Sequence, residues 1–320
     1  MITTRAMSNY LNQLPTINKQ EINILKLICL CVFAGRAWEH IRWDPPFRGL
    51  LLDQSLMEPI IATLTGLTWF EYSTSPQVDN FIQNIIFSFG CLYLVCAVAS
   101  IIFSKTPLWA FNISKTLLLI GSLGLAFLAF LYCKDQFFQI GHFFEYSCQF
   151  GAPLLLLYTF HYHLNKDRLV FYMKCAVSLT FFCHGLYAIG FYPIPGNWVD
   201  MLIVSLGVTE ETAYEMLRIA GVLDIWISFA IFMPGLARPA LIYGIFWGLL
   251  TSFSSIYVKI YDGEVLQSLQ QYSHEVLYRI PHFGLPVLIL VLLGRANSTS
   301  SIYRIIGRFR TNKKQEMINS

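Results

Sequence analysis

The sequence predicts an all-α, polytopic membrane protein of about eight transmembrane helices arranged as two parallel four-helix repeats. Three observations predict it: an apolar composition, a regular succession of helix-length apolar runs, and a polar, aromatic, proline-bearing phrase that returns about 150 residues after its first appearance. Of 320 residues, 55% are hydrophobic and 13% charged, and the mean hydropathy is +0.53. Ordinary soluble domains run nearer ~45–50% apolar and ~25% charged. In lipid, backbone groups are satisfied only within a helix or a closed barrel, so runs of roughly 20 apolar residues read as helices.

Residues 1–21 form a polar arm, and the run after them has no small-residue cleavage pattern, so the first helix is expected to stay as an anchor. The first unit, 22–163, opens with the run 22–40 and closes it on Gly35-Arg36-Ala37-Trp38-Glu39-His40-Ile41-Arg42-Trp43-Asp44-Pro45-Pro46. An outer segment, 44–80, follows. In it Phe47, Leu50, Leu51, Leu52, Leu56, Met57, Ile60 and Ile61 recur at helical spacing against Arg48, Asp53, Gln54 and Glu58, predicting a helix in the membrane interface. The runs 81–103, 107–132 and 138–160 complete the unit.

The second unit, 164–294, repeats the order with runs at 169–191, 213–233, 239–260 and 273–293. Its first run closes on Cys183-His184-Gly185-Leu186-Tyr187, leading to Tyr192-Pro193-Ile194-Pro195. The last helices also correspond: Gln149-Phe150-Gly151-Ala152-Pro153 answers His282-Phe283-Gly284-Leu285-Pro286. Leu64-Thr65-Gly66-Leu67-Thr68-Trp69 stands where Leu206-Gly207-Val208-Thr209-Glu210 stands later. An even number of crossings per repeat gives both units the same orientation, related by an axis near the membrane normal. The residues 295–320 are a basic tail.

One face collects Arg5, Lys19, Lys105, Lys166, Arg168, Arg238 and the tail's Arg and Lys, whereas the other collects Asp44, Asp53, Glu58, Glu71, Asp79, Asp135, Asp200, Glu210, Glu211, Asp262 and Glu264. The positive-inside rule then puts both termini in the cytoplasm. His161 and His163, beside Lys166 and Arg168, suit a helix end better than a ligand site. The lipid bilayer is the expected partner. The basic residues are too sparse for nucleic acid, and no phosphate-binding glycine loop or serine-nucleophile motif is found.

The candidate chemistry lies in ionisable side chains within the spans, each costing ~2.5–3.5 kcal/mol to insert. His184, His274, Asp224 and Glu145 are the candidate catalytic residues, and Arg36, His40, His142, Arg218, Tyr278, Arg279 and His282 the candidate ligand-binding ones. His142, Glu145 and Gln149 fall at i, i+3 and i+7, and His274, Tyr278 and His282 at i, i+4 and i+8, so each set predicts one helix stripe. Two readings stay open: buried polar pairs that hold the repeats together, or a pocket in which His and carboxylates move protons to a ligand. No motif indicates a metal, because the paired Glu-x-x-His of di-iron bundles is missing. Eight cysteines lack a Cys-x-x-Cys pair and read as free thiols.

Thr180-Phe181-Phe182-Cys183-His184-Gly185-Leu186-Tyr187-Ala188-Ile189-Gly190, with Arg218-Ile219-Ala220-Gly221-Val222-Leu223-Asp224, resembles the DoxX-like family of four-helix membrane proteins over roughly 168–293. In the first half Arg36 stands where His184 stands. The resemblance implies a bacterial inner-membrane protein or subunit in quinone-linked or thiol-linked redox work, with quinone as the candidate cofactor and Arg218 and Arg279 stabilising an anionic quinol. Other relatives act as cargo receptors or assembly chaperones, which would make 44–80, with Trp38, Trp43, Trp69 and Phe70, the surface for a membrane or periplasmic partner. Transport of a small solute or ion between the repeats is the third expectation. Whether the chain is an enzyme stays open.

Overall fold

A computed structural model describes residues 17–103, 107–160, 165–260 and 265–316, with side chains left out at 255, 259 and 295–316. The expectations for the arm up to residue 16, for Lys105, His161, His163, Asp262 and Glu264, and for the side chains of the basic tail lie outside the described residues. The described residues form helices and no strands: α1 (Lys19–Arg42), α2 (Phe47–Leu51), α3 (Gln54–Thr65), α4 (Trp69–Ser73), α5 (Pro76–Ile102), α6 (Leu108–Asp135), α7 (Ile140–Glu145), α8 (Ser147–Thr159), α9 (Lys166–Ala188), α10 (Gly196–Leu206), α11 (Glu210–Ala230), α12 (Ala237–Ile260) and α13 (Val265–Glu316).

Five are long and apolar enough to cross a membrane: α5, α6, α9, α12 over Ala237–Val258 and α13 over Val265–Gly294. Their large apolar side chains turn outward at many positions, among them Phe87, Leu94, Val98 and Ile101 of α5. Such a surface suits a lipid environment and not water. The other three expected spans differ for two physical reasons. α1 and α11 have the length, 24 and 21 residues, but carry Lys26, Arg36 and Glu39, and Glu215, Arg218 and Asp224. The run 138–160 breaks at Tyr146, which ends α7 and begins α8 and leaves pieces of 6 and 13 residues.

Local chemistry sets the boundaries. Asn18 caps α1 in a reciprocal box with Glu21. The expected single interfacial helix in 44–80 is divided, because Asp53 accepts the amide of Leu56 and starts α3 afresh after α2. Gly66 and Gly207, at φ 72° and 64°, end α3 and α10 in the left-handed conformation. Thr68 and Thr209 then cap the following helices. The turn into α7 passes through Phe137 and Phe138 at φ 53° and 58°, a conformation that side-chain-bearing residues rarely adopt.

α1 packs on α5 and α13, and α9 on α11 and on α7–α8, while α8 and α13 also meet. The main core lies where these helices converge, around Val32, Phe33, Met173, Phe181, Leu285 and Ile289. Two satellite clusters sit at its edge, one beneath α2 around Phe47, Ile82 and Leu131, the other beneath α10 around Val199, Ala213 and Leu217. Lys134 at the end of α6 ties down the α2 region through Asp53 at 2.7 Å and the Gly49 carbonyl.

Candidate functional site

Helix α9 approaches α11 backbone to backbone. A Cβ on Gly185 would lie 2.8 Å from the Gly221 carbonyl oxygen, and one on Gly221 would lie 2.9 Å from the Gly185 carbonyl. Only glycine allows this contact, and it sets His184 and Asp224 on adjoining helices beside one cavity. The cavity has a volume of about 530 Å3. Its lining carries the polar side chains of Glu145, Gln149, His184, Asp224, Arg279 and His282, and Trp198, Met201 and Leu202 of α10 with Leu217, Leu250 and Phe253 supply much of its apolar wall.

Hydrogen bonds and ring contacts order these polar side chains. Glu145 accepts from His142 Nδ1 at 2.8 Å and from His184 Nε2 at 2.7 Å, so one carboxylate bridges two imidazoles. His184 lies parallel to His282, with centroids 5.5 Å apart and planes 7° from each other, and meets the Trp198 ring edge-on. His282 Nδ1 donates to the Arg279 carbonyl at 2.9 Å, which leaves its Nε2 as an acceptor. Trp247 Nε1 donates to Asp224 Oδ2 at 3.3 Å. The other Asp224 oxygen is buried with no partner, although the residue is 3% exposed. Such an oxygen costs free energy unless something occupies the space beside it.

A second polar cluster is closed. Arg36, 0% exposed, donates to Gln149 at 3.0 and 2.7 Å and to Glu39 at 2.7 Å. Tyr132 donates to the other Glu39 oxygen at 2.7 Å. The Arg36 guanidinium stands 3.7 Å from the Tyr278 ring centre, with the stacked rings of Tyr132 and Tyr146 nearby. Each of the three guanidinium nitrogens has an acceptor, as a buried guanidinium requires.

The structure thus divides the expected residues between two places. His184, Asp224, Glu145, Tyr278, Arg279 and His282 line the cavity, and His142 reaches it through Glu145. Arg36 and His40 belong to the closed cluster, His40 donating from Nδ1 to the Arg36 carbonyl at 2.7 Å. His274 faces Tyr278 edge-on and lies outside the cavity lining. Arg218 is on the exposed side of α11 while Asp224 is on the buried side. The stripe expected for His142, Glu145 and Gln149 is split by the break at Tyr146, which sends Gln149 to Arg36 and Glu145 to His184. Glu39, Tyr132, Tyr146, Trp198 and Trp247 also take part. For Glu39 the spacing of three from Arg36 was a usable signal, and for Trp247 nothing in the sequence marks its role.

Among the described residues no group of three or more His, Cys, Asp or Glu is placed to hold a metal ion, and the eight cysteines are free. No protein-family model, curated protein or solved structure matches the chain.

Proposed function

We propose that the chain is an integral membrane protein that binds a ring-headed amphiphile of the quinone class in the cavity bounded by α7–α13 and exchanges protons with the ligand's oxygens through His184 and Glu145. The observation that carries the reading is the lining of the cavity: mostly apolar, with the acid–base and cationic side chains of Glu145, His184, Asp224, Arg279 and His282 among it. A ligand tail fits the apolar wall. Asp224 and His282 Nε2 offer acceptors to the hydroxyls of a reduced, hydroquinone ring, and Arg279 offers a cation. His142, Glu145 and His184 form a continuous hydrogen-bonded path from the α6–α7 turn to the cavity.

We place eight spans in two parallel units, both termini in the cytoplasm, in a bacterial inner membrane. Supporting the duplication, α1 packs on α5 as α9 packs on α11, and Gly66 and Gly207 end the preceding helices alike. The orientation rests on the distribution of Lys and Arg. The DoxX-like reading rests on residues alone, namely Cys183-His184-Gly185 and Gly221 three residues before Asp224.

Mass spectrometry of the lipids held by protein purified in mild detergent tests the proposal. A quinone-class molecule retained by the native chain and lost from an equally stable His184→Ala, His282→Ala variant is the expected result, and equal retention by both would refute it. A second reading, partner binding through 44–80, is favoured by one observation: Leu56, Ile60 and Leu64 form an exposed stripe along α3. It predicts a protein that co-purifies with the native chain and is lost when those three are changed to Ser.

A further inference from the structure

The two units answer each other contact by contact. Gly90 of α5 would place a Cβ against His40 and Ile41 of α1, and Gly221 of α11 would place one against Ala188 and Ile189 of α9. Arg36 bonds Gln149 and stacks on Tyr278, while His184 stacks on His282 and bonds Glu145. Gln149 and His282 each stand four residues before the proline inside their helix. In this register Ala188 answers His40, Ala220 answers Phe89, and Asp224 answers Tyr93. Ala188, Ala220 and Asp224 line the cavity. Their three counterparts are rings.

The rings pack on each other. His40 and Tyr93 have centroids 5.0 Å apart, and Phe89 lies 6.2 Å from Tyr93. Phe47 completes the group, 5.0 Å from Phe89 and 5.7 Å from His40, and is 2% exposed. It comes from α2, a helix with no counterpart in the second unit, where α10 begins directly after Pro195. There α10 covers the cavity with Trp198, Met201 and Leu202.

We infer that His40, Phe47, Phe89 and Tyr93 fill, in the first unit, the space that stays open as the cavity in the second. Two consequences follow. The chain holds one ligand, not two. The ligand carries a flat ring, because flat rings are what the molecule itself uses to occupy this space, and a ring oxygen belongs beside Asp224, where Tyr93 carries its own ring and hydroxyl. The inference rests on the proposed reading of the cavity and deepens it by the shape and number of the ligand.

A short-tailed hydroquinone, whose ring hydroxyls can donate to Asp224, titrated anaerobically by calorimetry into detergent-solubilised protein, tests it. The native chain is expected to bind one probe and a Phe47→Ala, Phe89→Ala variant two. Ala220→Phe, which puts the first unit's ring into the cavity, is expected to bind none. A Phe103→Ala, Phe160→Ala variant, losing two rings packed on each other elsewhere, should still bind one. Should the first double variant fail to fold, Phe89→Ala alone is read in the same way. A folded variant that remains at one probe, or a gain of a site by the Phe103, Phe160 control, overturns the inference and leaves the cavity reading intact. Failure of the native chain to bind, with the Phe47, Phe89 variant binding one, overturns the cavity reading and supports the filled counterpart.

Discussion

Arg36 on the first long helix lies 3.7 Å from the ring centre of Tyr278 on α13, joining the two helices through a cation–π contact in which the guanidinium is fully buried. Replacing Arg36 by Ala leaves Glu39 charged and buried with Tyr132 as its remaining hydrogen-bond donor. Breaking such a pair from one side costs ~3–5 kcal/mol. The unfolding midpoint in detergent should fall accordingly, and Arg36→Lys should recover only part, since an ammonium cannot reach Gln149 and Glu39 as a fork.

Gly185→Ala introduces a methyl group 2.8 Å from the Gly221 carbonyl oxygen. Overpacking of this kind costs ~1–3 kcal/mol and moves α9 away from α11, so stability and ligand retention should fall together. Gly196→Ala, with nothing within 4 Å of the new atom, should leave both unchanged. Thermal unfolding and ligand retention of the two variants make the comparison.

The Asp53 carboxyl is held low, at about 2, by the Lys134 ammonium that donates to it and by the Ser55 hydroxyl. A carboxyl lowered on folding contributes its full stabilisation above its unfolded value, near ~3.9. That contribution declines as pH falls toward 2. Between pH 4 and 2 the α2–α3 segment should therefore loosen and be cut faster by an acid protease. Asp53→Asn should be loose throughout and show no step of its own in that window.

Asp224→Asn keeps an oxygen for Trp247 but replaces an acceptor beside the cavity with an amide. Fold stability should change little, because no cation is left unpaired. Retention of the ring probe should fall roughly tenfold, equivalent to about 1.4 kcal/mol. A calorimetric titration set beside a melting curve separates the two effects.

Helix positions were readable in the sequence wherever apolar length alone decides, as in α5, α6, α9 and α12. The break at Tyr146 was not readable, since residues 140–159 contain no glycine–proline punctuation at that point, and Pro153 lies inside α8. His184 and Asp224 were both legible as candidates, but the glycine contact that sets them on adjoining helices, Gly185 against Gly221, emerges only from the structure. His274 and Arg218 could not be sorted from the true lining residues: helical spacing gives a stripe but not which neighbour it faces. The division of 44–80 into α2 and α3 depends on Asp53, whose role as a cap emerges only once Lys134 and Leu56 are seen around it.

Tyr278 has one face toward Arg36 and also borders the cavity, and Tyr146 does the same from the break between α7 and α8. The Arg36 cluster and the cavity therefore share a wall formed by these two tyrosines and Gln149. A change of side chain in that wall cannot be confined to one compartment. Variants selected for a different ligand should accumulate compensating changes at Glu39 or Tyr132, which lie outside the cavity lining.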